Sequence, residues 1–145
     1  MTETVQIRSL RRSDYDTMIE LFQISGLNPK TKGRDSPRSF SEQLRRNRGS
    51  YLGAFDADRL VGVVLGTSDG RKAWINRLAV HPNYRRRSIA ARLVRACEHV
   101  LRKQGLRMFA ALIEPENRAS EAFFRSLGYE ILPILYARKK LRESV

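Results

Sequence analysis

Alternating and helical patterns of apolar residues follow each other directly between positions 74 and 101. Residues 74–80 are short, apolar-rich and alternating, which predicts a half-buried strand. His81, Pro82 and Asn83 break this strand. Three arginines then precede a stretch whose apolar residues are spaced as on one face of a helix, namely Ala90, Leu93, Val94, Cys97 and Leu101. The pattern therefore predicts a strand, a basic turn and a helix.

The remaining apolar positions predict further elements on both sides of this segment. Before it come a strand at 5–9, a helix that buries Tyr15, Met18, Ile19 and Phe22, a loop at 28–35, a helix starting at Ser36 and Pro37, and hairpin strands at 51–55 and 60–67. After it come a strand at 108–113, a helix capped by Asn117, and a final strand at 131–137 that Pro133 interrupts. Because residues 108–113 are continuously apolar, we expect that strand to be buried on both faces. The order β-α-α-β-β-β-α-β-α-β predicts a single α/β or α+β domain over residues 1–145 with mixed strand pairing.

Charge is the compositional outlier of the chain. Its 145 residues include 28 Lys and Arg against 15 Asp and Glu, so the formal net charge is +13. Such an excess attracts an anionic partner, which is a phosphorylated cofactor, an acidic substrate or a nucleic acid. One cysteine excludes an internal disulfide, and neither a leader nor a run of about 20 apolar residues is present, so we expect a soluble cytoplasmic protein. Two histidines and one cysteine offer no metal-ligand spacing, so we expect no metal.

The start of the central helix is the clearest candidate for an anion site. A helix N-terminus leaves backbone N–H groups unpaired and carries the positive end of the helix dipole. Arg85, Arg86 and Arg87 come directly before this helix. Phosphate is the commonest anion bound at such a position, so the segment predicts a phosphate site.

Two motifs in this order resemble those of the GNAT superfamily of acyl-CoA-dependent N-acyltransferases. The first, R-R-R-S-I-A at 85–90, follows L-A-V-H-P-N-Y, as in the family's strand, Q/R-x-x-G-x-G/A turn and helix. The second, N-R-A-S-E-A-F-F-R-S-L-G-Y at 117–129, is similar to N-x-x-A-x-x-F-Y-x-x-x-G-F/Y. The resemblance covers nearly the whole chain and is poorest before residue 50. It implies a GNAT-like fold with a mixed, mostly antiparallel sheet of six to seven strands and four helices.

The resemblance also implies an acetyl-CoA co-substrate and assigns residues to it. The backbone of Leu78, Ala79 and Val80 would pair with the pantetheine arm, and a bulge there would splay this strand from the next. Asn117 would contact the same arm, and Phe124 would flank the thioester sulfur. The pyrophosphate would be wrapped by the backbone N–H groups of Arg85, Arg86, Arg87, Ser88, Ile89 and Ala90.

Three positions depart from the family pattern. Arg86 and Ser88 stand where the family has glycines, which allow positive φ and close backbone approach. We expect the Ser88 hydroxyl to add a hydrogen bond, because serine is favoured at a helix start. Phe124 stands where the family usually has the tyrosine that protonates the leaving thiolate, and phenylalanine has no proton to donate.

Acetyl transfer from a thioester to an amine sets the demand for acid and base groups. A lysine-like amine with a pKa of ~10.4 costs roughly 4 to 5 kcal/mol to deprotonate at pH 7, so a base is useful. Glu114 and Asp69 are candidate bases on position, and Tyr129 and Tyr136 are candidate donors. A thiolate needs only mild help, so most of the rate gain can come from holding the two reactants together.

Several alternatives stay open at this point. The leading hypothesis is an N-acetyltransferase that forms a ternary complex with acetyl-CoA and an amine acceptor, which the net charge makes acidic or neutral rather than polycationic. Phe124 keeps open a catalytically weak CoA-binding sensor, and the charge keeps open a basic nucleic-acid-binding module. No stacking or nucleic-acid motif supports the module. The loop at 28–35 could cover a substrate cleft, and a homodimer is left open because nothing in the sequence specifies an interface.

Overall fold

The computed structural model describes residues 4–115 and 117–145. Five strands and four helices form in this part of the chain, with single 3₁₀ turns at Arg12–Asp14 and Pro82–Tyr84. In chain order they are β1 (Val5–Ser9), α1 (Tyr15–Ile24), α2 (Pro37–Arg46), β2 (Tyr51–Asp56), β3 (Arg59–Ser68), β4 (Ala73–Val80), α3 (Ile89–Lys103), β5 (Phe109–Ala111) and α4 (Arg118–Ser126). The strand, basic turn and helix predicted at the centre of the chain are confirmed.

The strands lie side by side in chain order, β1-β2-β3-β4-β5. The first four pair antiparallel, and β5 pairs parallel with β4. A parallel neighbour needs a crossover, which α3 supplies. The predicted mixed, mostly antiparallel sheet with four helices is therefore confirmed.

Each face of the sheet carries its own apolar core. On one face, α3 and α4 pack around Val64, Leu93 and Phe124. On the other, α1 and α2 pack around Phe22 and Val63. Successive side chains of a strand point to opposite faces, so the unbroken apolar run of β3 fits this two-sided burial.

The close contact between α3 and β3 depends on one glycine. A Cβ built at Gly66 would lie 2.3 Å from the Cys97 Sγ, and 3.3 Å from the Ser50 carbonyl oxygen. Cys97 is fully buried, as the apolar stripe of α3 predicted, and burial raises the pKa of its thiol to about 12. Glycine is therefore required at position 66 for this spacing between helix and sheet.

The predicted strand at 131–137 is wrong, and the predicted count of six to seven strands becomes five in the described residues. Pro133 has no N–H for a strand ladder, and the Ile134 N–H donates to the Leu132 carbonyl at 2.9 Å, which turns the chain around the proline. Leu135 is consequently 96% exposed.

The prediction for β5 also needs correction. This strand has three residues rather than six, and it is half-buried rather than buried on both faces. It is the edge strand of the sheet, and the side chains of Met108 and Leu112 that flank it are 50% and 61% exposed. A separate finding is that no helix in the described residues is both long and apolar enough to cross a membrane.

Candidate functional site

β4 and β5 separate after a short paired stretch. Their register joins Ala73–Ile75 with Phe109–Ala111 and goes no further. On its other side, β4 has a bulge at Asn76, since Ile75 lies opposite Gly66 while Arg77 lies opposite Leu65. A bulge increases local twist and re-aims the strand. Beyond it, the β4 edge that faces away from β3 has no strand partner in the described part of the chain. The resemblance implied such a separation with a bulge at residues 78–80, but the bulge lies earlier, at Asn76.

The three residues whose backbone was assigned to the pantetheine arm all lie on this open edge, and their surroundings differ. Leu78 is half-buried against the α3 side of the sheet, and Ala79 is buried on the α1 side. The carbonyl of Val80 already accepts a hydrogen bond from the Ser25 hydroxyl at 3.3 Å. The backbone edge, rather than any side chain, is therefore what this stretch offers to a ligand.

The chain leaves β4 through a tight turn and then alternates its backbone conformation. The His81 Nδ1 accepts the Asn83 N–H at 3.1 Å, which closes the 3₁₀ turn. Arg85 has φ −67°, Arg86 +65° and Ser88 +61°, while Arg87 is not among the residues with positive φ. Alternating φ signs bring successive N–H groups to one side as an anion-binding nest. The nest continues directly into the N-terminus of α3, whose dipole has the same preference for an anion.

Arg86 and Ser88, the two residues of this turn named above as standing in place of glycines, are also its two residues with left-handed backbone. Ser88 is the N-cap of α3, but its side chain makes no capping hydrogen bond. The preference for serine at helix starts, given above as the reason for a hydroxyl hydrogen bond, does not apply here, because a favoured cap residue has extended backbone and an engaged side chain. Whether the hydroxyl adds a bond to a bound phosphate stays a prediction.

Left-handed backbone at these positions predicts a gain of stability on substitution by glycine. Ser88→Gly and Arg86→Gly are each expected to raise the free energy of unfolding by about 1 kcal/mol, because glycine adopts positive φ without a Cβ clash. Chemical denaturation of each variant measures this gain. Arg85→Gly is the matched control and should lower stability, since φ at Arg85 is negative. Equal or lower stability of both variants would contradict the prediction.

Tyr84 contacts residues on both sides of the nest and anchors the turn to β2, a role that the sequence did not reveal. Its hydroxyl donates to the Asp56 carboxylate at 2.5 Å, and this bond raises the pKa of the phenol. The Arg87 guanidinium lies 4.9 Å from its ring centre, and His81 meets the ring edge-on. Only its place directly before the three arginines could have singled out Tyr84 in the sequence.

A cleft of about 320 Å³ runs from the end of β4 to α4 along the nest. Six of the residues assigned to the cofactor line it: Val80, Arg85, Arg86, Ser88, Ile89 and Ala90. Phe123 and Ser126 close it from the side of α4. Leu78, Ala79, Arg87, Asn117 and Phe124 are not part of its lining.

The two assigned residues of the second motif have structural contacts of their own. The Asn117 Oδ1 accepts the Ser120 N–H at 3.1 Å and so caps α4 as predicted. Phe124 is only 5% exposed and packs edge-on against Phe123 and Tyr129. A cofactor contact for either residue stays a prediction.

The candidate acid and base groups do not converge on the cleft. Glu114 is exposed just beyond β5. The Tyr129 hydroxyl donates to Glu98 of α3 at 2.5 Å, and burial, followed by this carboxylate, raises the pKa of the phenol. Tyr136 is two-thirds exposed. Asp69 accepts the N–H groups of Lys72 and Arg71, which lower its pKa to about 2, so it is poorly suited as a base.

The described residues contain no group of three or more His, Cys, Asp or Glu side chains that could hold a metal ion. A second cleft of about 270 Å³ lies beside the end of α2, between Leu10, Leu44 and Tyr51. Arg48 is its only charged lining residue, so it offers no pair of groups for acid and base chemistry.

The mixed sheet with helices on both faces, in which β4 and β5 separate after a short pairing, is the α+β architecture of a class of acyltransferases. The family model described as "Acetyltransferase (GNAT) family" matches residues 8–129, which is most of the chain. The chain belongs to the GNAT family of acetyltransferases.

Two curated relatives match over nearly their whole length. The chain is 27% identical over 139 residues to Acetyltransferase ECA0875 of Pectobacterium atrosepticum, covering 96% of this chain and 97% of that protein. It is 28% identical over 140 residues to Acetyltransferase SG1711 of Sodalis glossinidius, with the same coverage of 96% and 97%.

A solved structure with the same fold contains coenzyme A. This is the PaiA N-acetyltransferase from Thermoplasma acidophilum in complex with coenzyme A, with a TM-score of 0.80 and 21% identity, covering 90% of this chain and 92% of that one. At this identity the likeness establishes the fold.

Proposed function

We propose that the protein is an N-acetyltransferase that transfers the acetyl group of acetyl-CoA to a primary amine by direct attack in a ternary complex. The observation that carries this proposal is the continuity of two features: the open edge of β4 ends where the nest at the start of α3 begins. A peptide-like arm with a diphosphate at one end has the shape and chemistry to occupy both. Family membership and the coenzyme A bound to the Thermoplasma acidophilum protein support it.

The chain would contribute mainly binding and orientation. N–H groups of residues 85–90 would hold the diphosphate, and the edge of β4 would pair with the amide groups of the pantetheine arm. The amine nitrogen would attack the thioester carbonyl carbon, the C–S bond would break and the thiolate would leave, while the proton lost by the amine would pass to a base. Fixing both reactants in place can supply ~7 kcal/mol or more of the barrier reduction.

Glu114 is the proposed base, because an acid beyond the end of β5 lies at the opening of the divergent strands. The test of the function is thiol release from acetyl-CoA with a panel of amines, followed by mass spectrometry of the acceptors. We expect acetylated product with the wild type, and a tenfold or larger fall in kcat/KM for Glu114→Gln at pH 7. Coenzyme A binding without any transfer would overturn the enzymatic proposal.

Tyr129 as the donor to the thiolate stays a prediction, and one variant separates it from a structural role. The hydroxyl is engaged by Glu98, and its raised pKa makes it a weaker acid. We therefore expect Tyr129→Phe to lower the free energy of unfolding by about 2 kcal/mol, since it removes a hydrogen bond to a charged group, and to leave kcat within about threefold. Denaturation and steady-state kinetics measure both. A hundredfold loss of kcat with unchanged KM for acetyl-CoA would instead establish Tyr129 as the donor.

A second candidate function rests on Phe124. Its buried ring has no hydroxyl at the position where the family usually carries its acid, which favours a sensor that binds coenzyme A without catalysing acetyl transfer. The same assay separates the two functions, because a sensor would bind coenzyme A in calorimetry and release no thiol above the uncatalysed rate.

A further inference from the structure

The loop between α1 and α2 is tied at both ends to the part of β4 that the proposed function uses. At its start, the Ser25 hydroxyl donates to the Val80 carbonyl at 3.3 Å. At its end, the Arg77 Nη2 lies 3.0 Å from the Asp35 Oδ2, and these side chains are only 19% and 12% exposed. Residues 26–34 therefore lie between two attachments to β4, at Val80 and at Arg77, and these flank the backbone that the proposed function assigns to the pantetheine arm.

Asp35 makes two further contacts that hold the loop in place. Its Oδ2 also accepts the Lys30 N–H at 2.7 Å, and its carbonyl accepts the Tyr15 hydroxyl at 2.6 Å. The guanidinium of Arg77 in turn lies 5.6 Å from the Phe22 ring centre. The one acid of residues 28–35 thus serves to fix the loop, and its charge is neutralised within the fold.

The C-terminal segment packs on the middle of the same loop. A Cβ built at Gly33 would lie 2.5 Å from the Ser144 carbonyl oxygen and 2.7 Å from the Val145 Cα. The only acid of residues 138–145, Glu143, pairs with Lys140 at 3.5 Å. The basic rim that results is defined here as the four cations within three residues of this contact: Lys30, Lys32, Arg34 and Arg142.

The two side-chain acids of these segments, Asp35 and Glu143, are already paired, so within the segments the four cations of the basic rim are opposed only by the terminal carboxylate of Val145. Lys32, Arg34 and Arg142 are exposed, and Lys30 is half-buried. Charges so placed act over about 8 to 10 Å at physiological ionic strength, which spans several residues of an extended peptide. They attract carboxylates, repel a cationic acceptor, and favour the neutral, reactive form of a nearby amine.

We propose that the acceptor is a polypeptide amine flanked by acidic residues, with the carboxylates of the acceptor bound by the basic rim. This inference rests on the proposed function and specifies its acceptor. A peptide fits better than a small anion, because the rim is built from two separate chain segments on an open surface. The four cations match a series of acidic side chains rather than a single carboxylate.

The test compares peptides of equal length that differ only in charge near the amine. One set has a free α-amine followed by acidic, neutral or basic residues, and a second set has a blocked N-terminus and one lysine in the same three contexts. Free glutamate represents small anionic amines. We expect kcat/KM at least about tenfold higher for acidic than for basic peptides, chiefly through KM, and a smaller ratio when salt rises from about 0.05 M to about 0.5 M.

Charge reversal locates the effect. Lys32→Glu combined with Arg34→Glu is expected to abolish or invert the preference and leave the KM for acetyl-CoA unchanged. The matched control is Arg45→Glu combined with Arg46→Glu, which changes the net charge equally at the exposed end of α2 and should leave the preference intact.

The outcomes distinguish this inference from the proposed function. Equal or faster transfer to neutral or basic peptides, equal transfer to free glutamate, or an effect of the control as large as that of the rim variant would overturn the acidic acceptor and leave the acetyltransferase intact. No transfer to any peptide or amine, with coenzyme A bound, would overturn both.

Discussion

Replacing Ser88 with aspartate is expected to weaken coenzyme A binding by about 100-fold or more without destabilising the protein. The new carboxylate would stand at the N-cap of α3, inside the nest that Arg86 and Ser88 form with positive φ. Two anions about 4 Å apart at an effective dielectric constant of about 20 repel by up to ~4 kcal/mol, and each 1.4 kcal/mol is tenfold in affinity. Aspartate also tolerates left-handed backbone and interacts well with the helix dipole, so the free protein should be as stable as the wild type or more so.

Asparagine at the same position is the matched control. Ser88→Asn has the size of the aspartate variant and its tolerance of positive φ, but it carries no charge. In calorimetric titrations with coenzyme A, the Ser88→Asn variant should therefore have a dissociation constant within about threefold of the wild type, whereas the Ser88→Asp variant should not. If the aspartate and asparagine variants bind equally well, the diphosphate does not lie in the nest, and the proposed mode of binding is lost.

Gly66→Ala is expected to cost about 3 kcal/mol of the free energy of unfolding, the largest effect we predict on stability. The added methyl would lie 2.3 Å from the Cys97 Sγ, well inside van der Waals contact. The thiol is buried and donates a hydrogen bond to the Ser50 carbonyl at 3.6 Å, so it cannot move away from the added methyl without losing that contact. Overpacking of this kind typically costs 1–3 kcal/mol and occasionally more.

A double-mutant cycle identifies the cause. Cys97→Ala removes the clashing atom, so Gly66→Ala should cost less than about 1 kcal/mol in that background, a coupling of about 2 kcal/mol. Gly62→Ala on the same strand is the second control, since its methyl would meet the Leu93 Cδ1 at 3.0 Å and the Ile89 Cγ2 at 3.2 Å, which is less close than the contact at Gly66. Additive costs for Gly66→Ala and Cys97→Ala, measured by denaturation, would contradict the packing explanation.

The features that the sequence predicted well are those that local patterns specify. The strand at 74–80, the breaks at His81 and Pro82, and the stripe of α3 lie within 28 residues, and periodicity alone places them. The strand at 131–137 failed for a related reason: its apolar residues satisfy the composition of a strand, but Pro133 turns the backbone. The sequence alone did not show whether the apolar residues of 131–137 or the proline among them would decide the backbone conformation.

The parts of the site that the sequence did not predict depend on distant contacts or on backbone conformation. Asp35 and Arg77 are 42 positions apart, and Tyr84 and Asp56 are 28 apart, so no local pattern joins them. The positive φ of Ser88 was not predicted, because serine at a helix start normally has extended backbone. The catalytic assignments of Glu114 and Tyr129 stay predictions, since neither side chain lines the cleft.

The contact between Tyr84 and Asp56 bears on how small a working version of this protein can be. Every position assigned to coenzyme A lies after residue 77, so a fragment that starts at β4 would contain all of them. The turn before α3 nevertheless rests on a carboxylate from the β2–β3 hairpin, which such a fragment lacks. The ligand-binding half is therefore not a separable module, and truncation from the N-terminus should destroy cofactor recognition before it removes a single contact residue.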